Sequence, residues 1–146
     1  MKFRISILLF SLALASAASA RPNVCSVETI RGSYAFAIHG QIFTPGGSLL
    51  VNGIARTTFD GNGNLTQVDT VAINGNTPPG WRPGTGTYNL NPDCTGTMVL
   101  INQGQAPLHL SIFVSRSGEI IHTVVTDPGF AVTSDAERVS VLRWDD

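Results

Sequence analysis

The chain has 146 residues, of which 42% are hydrophobic and 13% charged. Nine basic side chains against ten acidic ones give a formal net charge of −1. With no excess of lysine or arginine to release counterions from phosphate, the composition excludes nucleic acid as an electrostatic partner, and an anionic membrane surface with it.

Lys2 and Arg4 precede the apolar run ISILLFSLALA, which ends in the small residues Ala18-Ser19-Ala20. This pattern predicts a secretory signal peptide over residues 1–20, cleaved after Ala20, with Ala15-Ser16-Ala17 as a second possible site. A membrane anchor is the rival reading. The run is shorter than the ~20 residues a spanning helix needs, and no second apolar stretch follows it. The expected location is extracellular, or periplasmic in a Gram-negative host. Residues 21–146 then form one domain. They carry seven arginines, no lysine and ten acidic residues, a net charge of −3. In an exported chain the only two cysteines, Cys25 and Cys94, read as one disulfide, with two unrelated thiols as the alternative.

From residue 33 onward the hydrophobic period is two. SYAFAIHGQIF, LLVNGIARTTF, LTQVDTVAI, GTYNL, TGTMVLIN, LHLSIFVS, EIIHTVVT and FAVTSDAERV are eight strand-like runs rich in β-branched and aromatic residues. Turn chemistry separates them. Asp60-Gly61-Asn62-Gly63 supplies residues tolerant of positive φ, Asn91-Pro92-Asp93 suits a type I turn, and Ser117-Gly118 and Asp127-Pro128-Gly129 act similarly. No helix is expected after the signal. The fold class is all-β, an eight-stranded antiparallel up-and-down barrel of lipocalin-like form, which also removes exposed sheet edges.

Alternating strand direction puts the start of the first strand and the turns after the second, fourth and sixth at one end. Cys25 and Cys94 both fall there, so a bridge between them would staple residues 21–29 across that end as a plug. The other end carries TPGGS, GNTPPGWRPGTG, NQGQAP and DPG. The second of these is the longest loop and holds Trp81 and Arg82 between prolines. It is either a ligand mouth or a linker whose Trp81 packs on the rim.

Most local motifs fail on chemistry. Asp60, Asn62 and Asn64 occupy the first positions of a calcium loop, but Leu65 and Val71 stand where Gly and Glu are required. His39, His109 and His122 are too dispersed for a local zinc motif, and no metal is expected. There is no G-x-S-x-G elbow, and GTGTYN lacks the lysine and helix of a phosphate cradle. Asn64-Leu65-Thr66 is a glycosylation sequon, relevant in a eukaryotic host.

The barrel interior remains. Tyr34, Phe36 and Ile38 share one face of the first strand, and Leu108, Leu110, Ile112 and Val114 one face of the sixth; both should point inward. The third and seventh strands are ambiguous. Gln67 and Asp69 share a face with the apolar Leu65, Val71 and Ile73, and His122 lies on the Ile120 and Val124 face. If those faces point inward, a buried Asp69 near His122 could do acid–base work. Otherwise these side chains face solvent or bond to each other.

Four segments carry a family resemblance: Cys25 with Arg31-Gly32-Ser33-Tyr34-Ala35-Phe36; Thr58-Phe59-Asp60-Gly61-Asn62-Gly63-Asn64-Leu65; Gly86-Thr87-Tyr88-Asn89-Leu90-Asn91-Pro92-Asp93-Cys94-Thr95-Gly96-Thr97; and Asp127-Pro128-Gly129 with Ala136-Glu137-Arg138. Together they resemble the exported allene oxide cyclase barrel-like domains of bacteria and filamentous fungi, over nearly the whole chain after the signal. The resemblance implies an eight-stranded barrel with an internal cavity, similar to plant allene oxide cyclases and dirigent proteins. No catalytic position of the plant enzymes is matched. It also implies a manner of catalysis, in which a reactive substrate is held in one conformer while it closes a ring, with a polar group steering charge.

The expected activity is therefore that of a cofactor-independent cyclase or isomerase on a small apolar metabolite. Asp69, His122, Tyr34 and Tyr88 are the candidate catalytic groups, and Trp81 and Arg82 stand at the mouth. The alternatives are a non-catalytic carrier of hydrophobic molecules and a secreted structural or interaction protein whose barrel is filled.

Overall fold

The computed structural model describes residues 24–139. The expected signal peptide, residues 1–20, and the first three residues of the expected plug lie outside the described residues. Eight strands follow one another: β1 (Gly32–Thr44), β2 (Gly47–Phe59), β3 (Asn64–Ile73), β4 (Arg82–Leu90), β5 (Thr95–Asn102), β6 (Leu108–Val114), β7 (Ile120–Val125) and β8 (Phe130–Arg138). Each pairs antiparallel with the next, and β8 pairs with β1, closing the barrel. Among the described residues the one departure from all-β is a single 3₁₀ turn, Val27–Ile30.

Burial follows the two-residue period. In β8 the buried residues are Val132, Ser134 and Ala136, and in β7 they are Ile121, Thr123 and Val125. The ambiguity in β7 is thereby settled: His122 faces out with Ile120 and Val124. In β3 the buried face is Leu65, Gln67 and Asp69, so two polar side chains enter the interior.

Two boundaries differ from the sequence reading. β4 starts at Arg82, four residues before the expected Gly86, because Asp69↔Arg82 and Val68↔Pro83 continue the β3–β4 ladder. Pro83 sits near the strand's start, where a missing N–H is tolerated. Likewise β1 and β2 pair out to Thr44↔Gly47, so TPGGS shrinks to a two-residue turn at Pro45-Gly46.

The bottom of the barrel is closed. Cys25 and Cys94 are bonded, with Cα atoms 5.1 Å apart, and the Cys25 N–H donates to the Pro92 carbonyl at 3.2 Å. Ile30 from the 3₁₀ turn is fully buried there against a layer of aromatic rings. Tyr34, Phe59 and Tyr88 stack edge to face, with centroid separations of 5.5 and 4.9 Å. The Arg138 guanidinium lies 4.9 Å from the Tyr34 ring centroid and donates to the Thr29 and Gly118 carbonyls, each at 3.0 Å. Val24 to Thr29 is thus a plug held by a covalent bond, a ring layer and a guanidinium.

Above the plug the barrel is open, and three of its strands carry glycines at inward-phase positions. Gly40, Gly86 and Gly96 lie in phase with the buried residues of β1, β4 and β5. A Cβ at any of the three would stand 2.1 Å from a carbonyl oxygen of a neighbouring strand. Only glycine fits such close strand approaches.

Candidate functional site

The upper half of the barrel holds a cavity of about 690 Å³ that opens at the top. That volume falls within the range of sites for one small molecule. Its walls are mostly aliphatic, with Phe36, Ile38, Val51, Val71, Leu100, Leu110, Val125 and Val132 among them. Ile73, Pro78, Pro107 and Phe130 stand at the rim.

One polar chain crosses this wall. Thr57 Oγ1 donates to Gln67 Oε1 at 2.9 Å, and Gln67 Nε2 donates to Asp69 Oδ2 at 3.0 Å. The Arg82 fork grips the same carboxylate, Nε to Oδ1 at 2.9 Å and Nη2 to Oδ2 at 3.0 Å. Such a bidentate pair is strong and directional. The Asp69 side chain is 3% exposed and that of Arg82 34%. Asp69 therefore depends on Arg82 and Gln67 for its solvation, while Arg82 reaches the open part of the cavity. Because both carboxylate oxygens are engaged, Asp69 serves to orient the guanidinium; the polar group it offers the cavity is Arg82.

Asn102 lies at the end of β5, paired with Gly84 of β4. Its Oδ1 is the one buried side-chain polar atom without a hydrogen-bond partner among the described residues. Gly84 makes room for it, since a Cβ there would stand 2.2 Å from that oxygen. On the β7–β8 side Thr123 and Ser134 share a hydrogen bond of 2.7 Å and also line the cavity.

The candidate residues divide by location. Asp69 and Arg82 meet in the cavity wall. Tyr34 and Tyr88 do not reach it. Their hydroxyls belong to the closed end, where Tyr34 donates to the Gly118 carbonyl, and Tyr88 donates to the Val27 carbonyl at 2.9 Å and accepts the Gly61 N–H at 3.1 Å. Burial pushes the Tyr34 hydroxyl up to about 12, and burial also raises Tyr88. Both are structural caps, neutral at ordinary pH. His122 sits on the outer wall, its Nδ1 2.6 Å from Asp135 Oδ1, both side chains more than half exposed. The barrel wall separates it from Asp69, so an Asp69–His122 acid–base pair does not form. Trp81 is 57% exposed and does not line the cavity. The mouth is shaped instead by Pro78 and by the β5–β6 loop at Gln105, Ala106 and Pro107. Asn64 is exposed at the bottom turn, its amide donating to Asp60 Oδ2 at 2.8 Å.

Sequence reasoning missed Asn102, although TGTMVLIN places it in phase with the inward Met98 and Leu100. It also treated Arg82 as a loop residue, because Pro83 obscured the start of β4. No helix among the described residues is long and apolar enough to cross a membrane. Comparison with protein families, curated proteins and solved structures finds no match.

Proposed function

We propose that the protein is an exported, lipocalin-like barrel that binds one small, mostly apolar molecule in its lumen. The observation that carries this reading is the aliphatic cavity of about 690 Å³, closed below by the stapled plug and open above. It weighs against a filled barrel with a purely structural role. The disulfide supports export, since such bonds persist in oxidising compartments. The resemblance to exported allene oxide cyclase barrel-like domains points the same way.

The Asp69–Arg82 pair favours a second reading, that of a cofactor-independent cyclase or isomerase. A guanidinium fixed at one end of an apolar chamber can steer charge while the walls restrict the substrate to one folded conformer. The two readings share a site and differ in turnover. The deciding experiment is native mass spectrometry of the protein purified from its own host under non-reducing conditions, followed by incubation with the molecule it carries. A bound metabolite released unchanged is expected of a carrier, and one converted to a ring-closed isomer of equal mass is expected of a cyclase. Protein that carries nothing, and takes up nothing from a host metabolite extract, would refute both.

A further inference from the structure

The hydrogen bonds of the cavity wall divide donors from acceptors, and that division specifies the ligand. At the charged end the acceptors of Asp69 and Gln67 are occupied. Both oxygens of Asp69 accept from Arg82, one also from Gln67, and the Gln67 carbonyl accepts from Thr57. The Asn102 carbonyl oxygen is buried over Gly84, too enclosed to meet a ligand. Donors remain. Arg82 uses Nε and Nη2 on Asp69, and among the described residues its Nη1 has no protein partner. Asn102 keeps its amide nitrogen as the polar group that can meet the lumen. The β4–β5 register pairs Gly84 with Asn102, so Arg82 and Asn102 are diagonal neighbours on the inner face, a separation that long side chains bridge. Thr123 and Ser134 hydroxyls can play either role and do not discriminate.

Charge narrows the choice further. Arg82 is already neutralised by Asp69, and a second carboxylate, Asp127, stands at the rim of the cavity. A ligand carboxylate brought to Arg82 would lie beside Asp69 and meet like charge in a poorly solvated place. A neutral oxygen meets the same donors without that opposition.

We propose that the lumen recognises a neutral carbonyl compound, a ketone, ester or lactone on an apolar skeleton, by placing its carbonyl oxygen against the free N–H groups of Arg82 and Asn102. This rests on the small-molecule-binding reading above and names its ligand class. A hydrogen bond from a charged donor contributes about 1.5–3 kcal/mol, which corresponds to a preference of roughly ten- to a hundred-fold over an isostere that cannot accept.

The test uses full-length mature protein and three probes of equal chain length: a medium-chain methyl ketone, the alkene in which a methylene replaces the carbonyl oxygen, and the fatty carboxylate. Affinities are read by displacement of a fluorescent apolar dye. The ketone should bind at least about ten-fold more tightly than either competitor. Asn102→Leu, which keeps the branched shape but removes the amide, should lower the preference for ketone over alkene several-fold, and a cooperative urea transition reports that the variant is folded. Equal binding of ketone and alkene, tightest binding of the carboxylate, or an unchanged preference in Asn102→Leu would each overturn the assignment while leaving a lumen that binds apolar molecules. Failure of all three probes and the dye to enter would remove the binding reading as well.

Discussion

Replacing Arg82 with methionine would leave the Asp69 carboxylate in the barrel wall with one hydrogen-bond donor, Gln67, in place of three. Breaking a buried ion pair from one side costs about 3–5 kcal/mol, most of it the penalty of an uncompensated charge. The Arg82 side chain is 34% exposed, so solvent already screens part of the pair, and the expected loss is about 2–4 kcal/mol. With a urea m-value of about 2 kcal/mol/M, the unfolding midpoint should fall by roughly 1–2 M. The double variant Asp69→Asn/Arg82→Met removes the charge as well as its partner. It keeps an oxygen for Gln67 and should recover to within about 1 kcal/mol of the parent. Urea unfolding of the parent, both single variants and the double variant, followed by circular dichroism at constant m-value, completes the cycle. If Arg82→Met costs less than about 0.5 kcal/mol, as an exposed pair would, or if the double variant is no more stable than Arg82→Met, the guanidinium is not what holds Asp69 in the lumen.

The Cys25–Cys94 bond spans 69 residues of sequence, and closing a loop of that size should stabilise the fold by roughly 4 kcal/mol in the chain-entropy account. Urea unfolding with and without reductant measures it, and equal midpoints would mean that the rings and Arg138 hold the plug unaided. Tyr34 ionises in the folded state only near 12, above its ordinary value of 10.0, so its contribution is whole below pH 10 and lost as pH rises toward 12. The loss should be at most about 2–3 kcal/mol, and Tyr34→Phe should flatten the stability profile in that window; an unchanged alkaline slope in the variant would assign it to other groups. His122→Phe alters only the exposed outer wall, so stability should stay within about 0.5 kcal/mol of the parent and dye affinity in the lumen should not change. A loss of dye affinity would mean that the β7 face communicates with the cavity.

Alternation of apolar residues, glycine-rich turns and the placement of the cysteines are local or topological signals, so they determined the all-β class, the eight strands in sequence order and the end of the barrel that the disulfide closes. A period of two says that two faces exist. It does not say which face is inside when both carry apolar residues, and for β7 the answer came only when Ile121, Thr123 and Val125 were packed against their neighbours. The same holds for β3, where Gln67 and Asp69 could enter the interior only because Thr57, Arg82 and one another supply their hydrogen bonds. Those partners lie on three strands and cannot be read from any one of them. Tyr34 and Tyr88 are in phase with the lumen but are buried at its floor, because position along a strand, not phase, decides between plug and cavity. The cavity itself is a tertiary property. Its lining comes from all eight strands, and only the closed barrel brings those side chains around a single space.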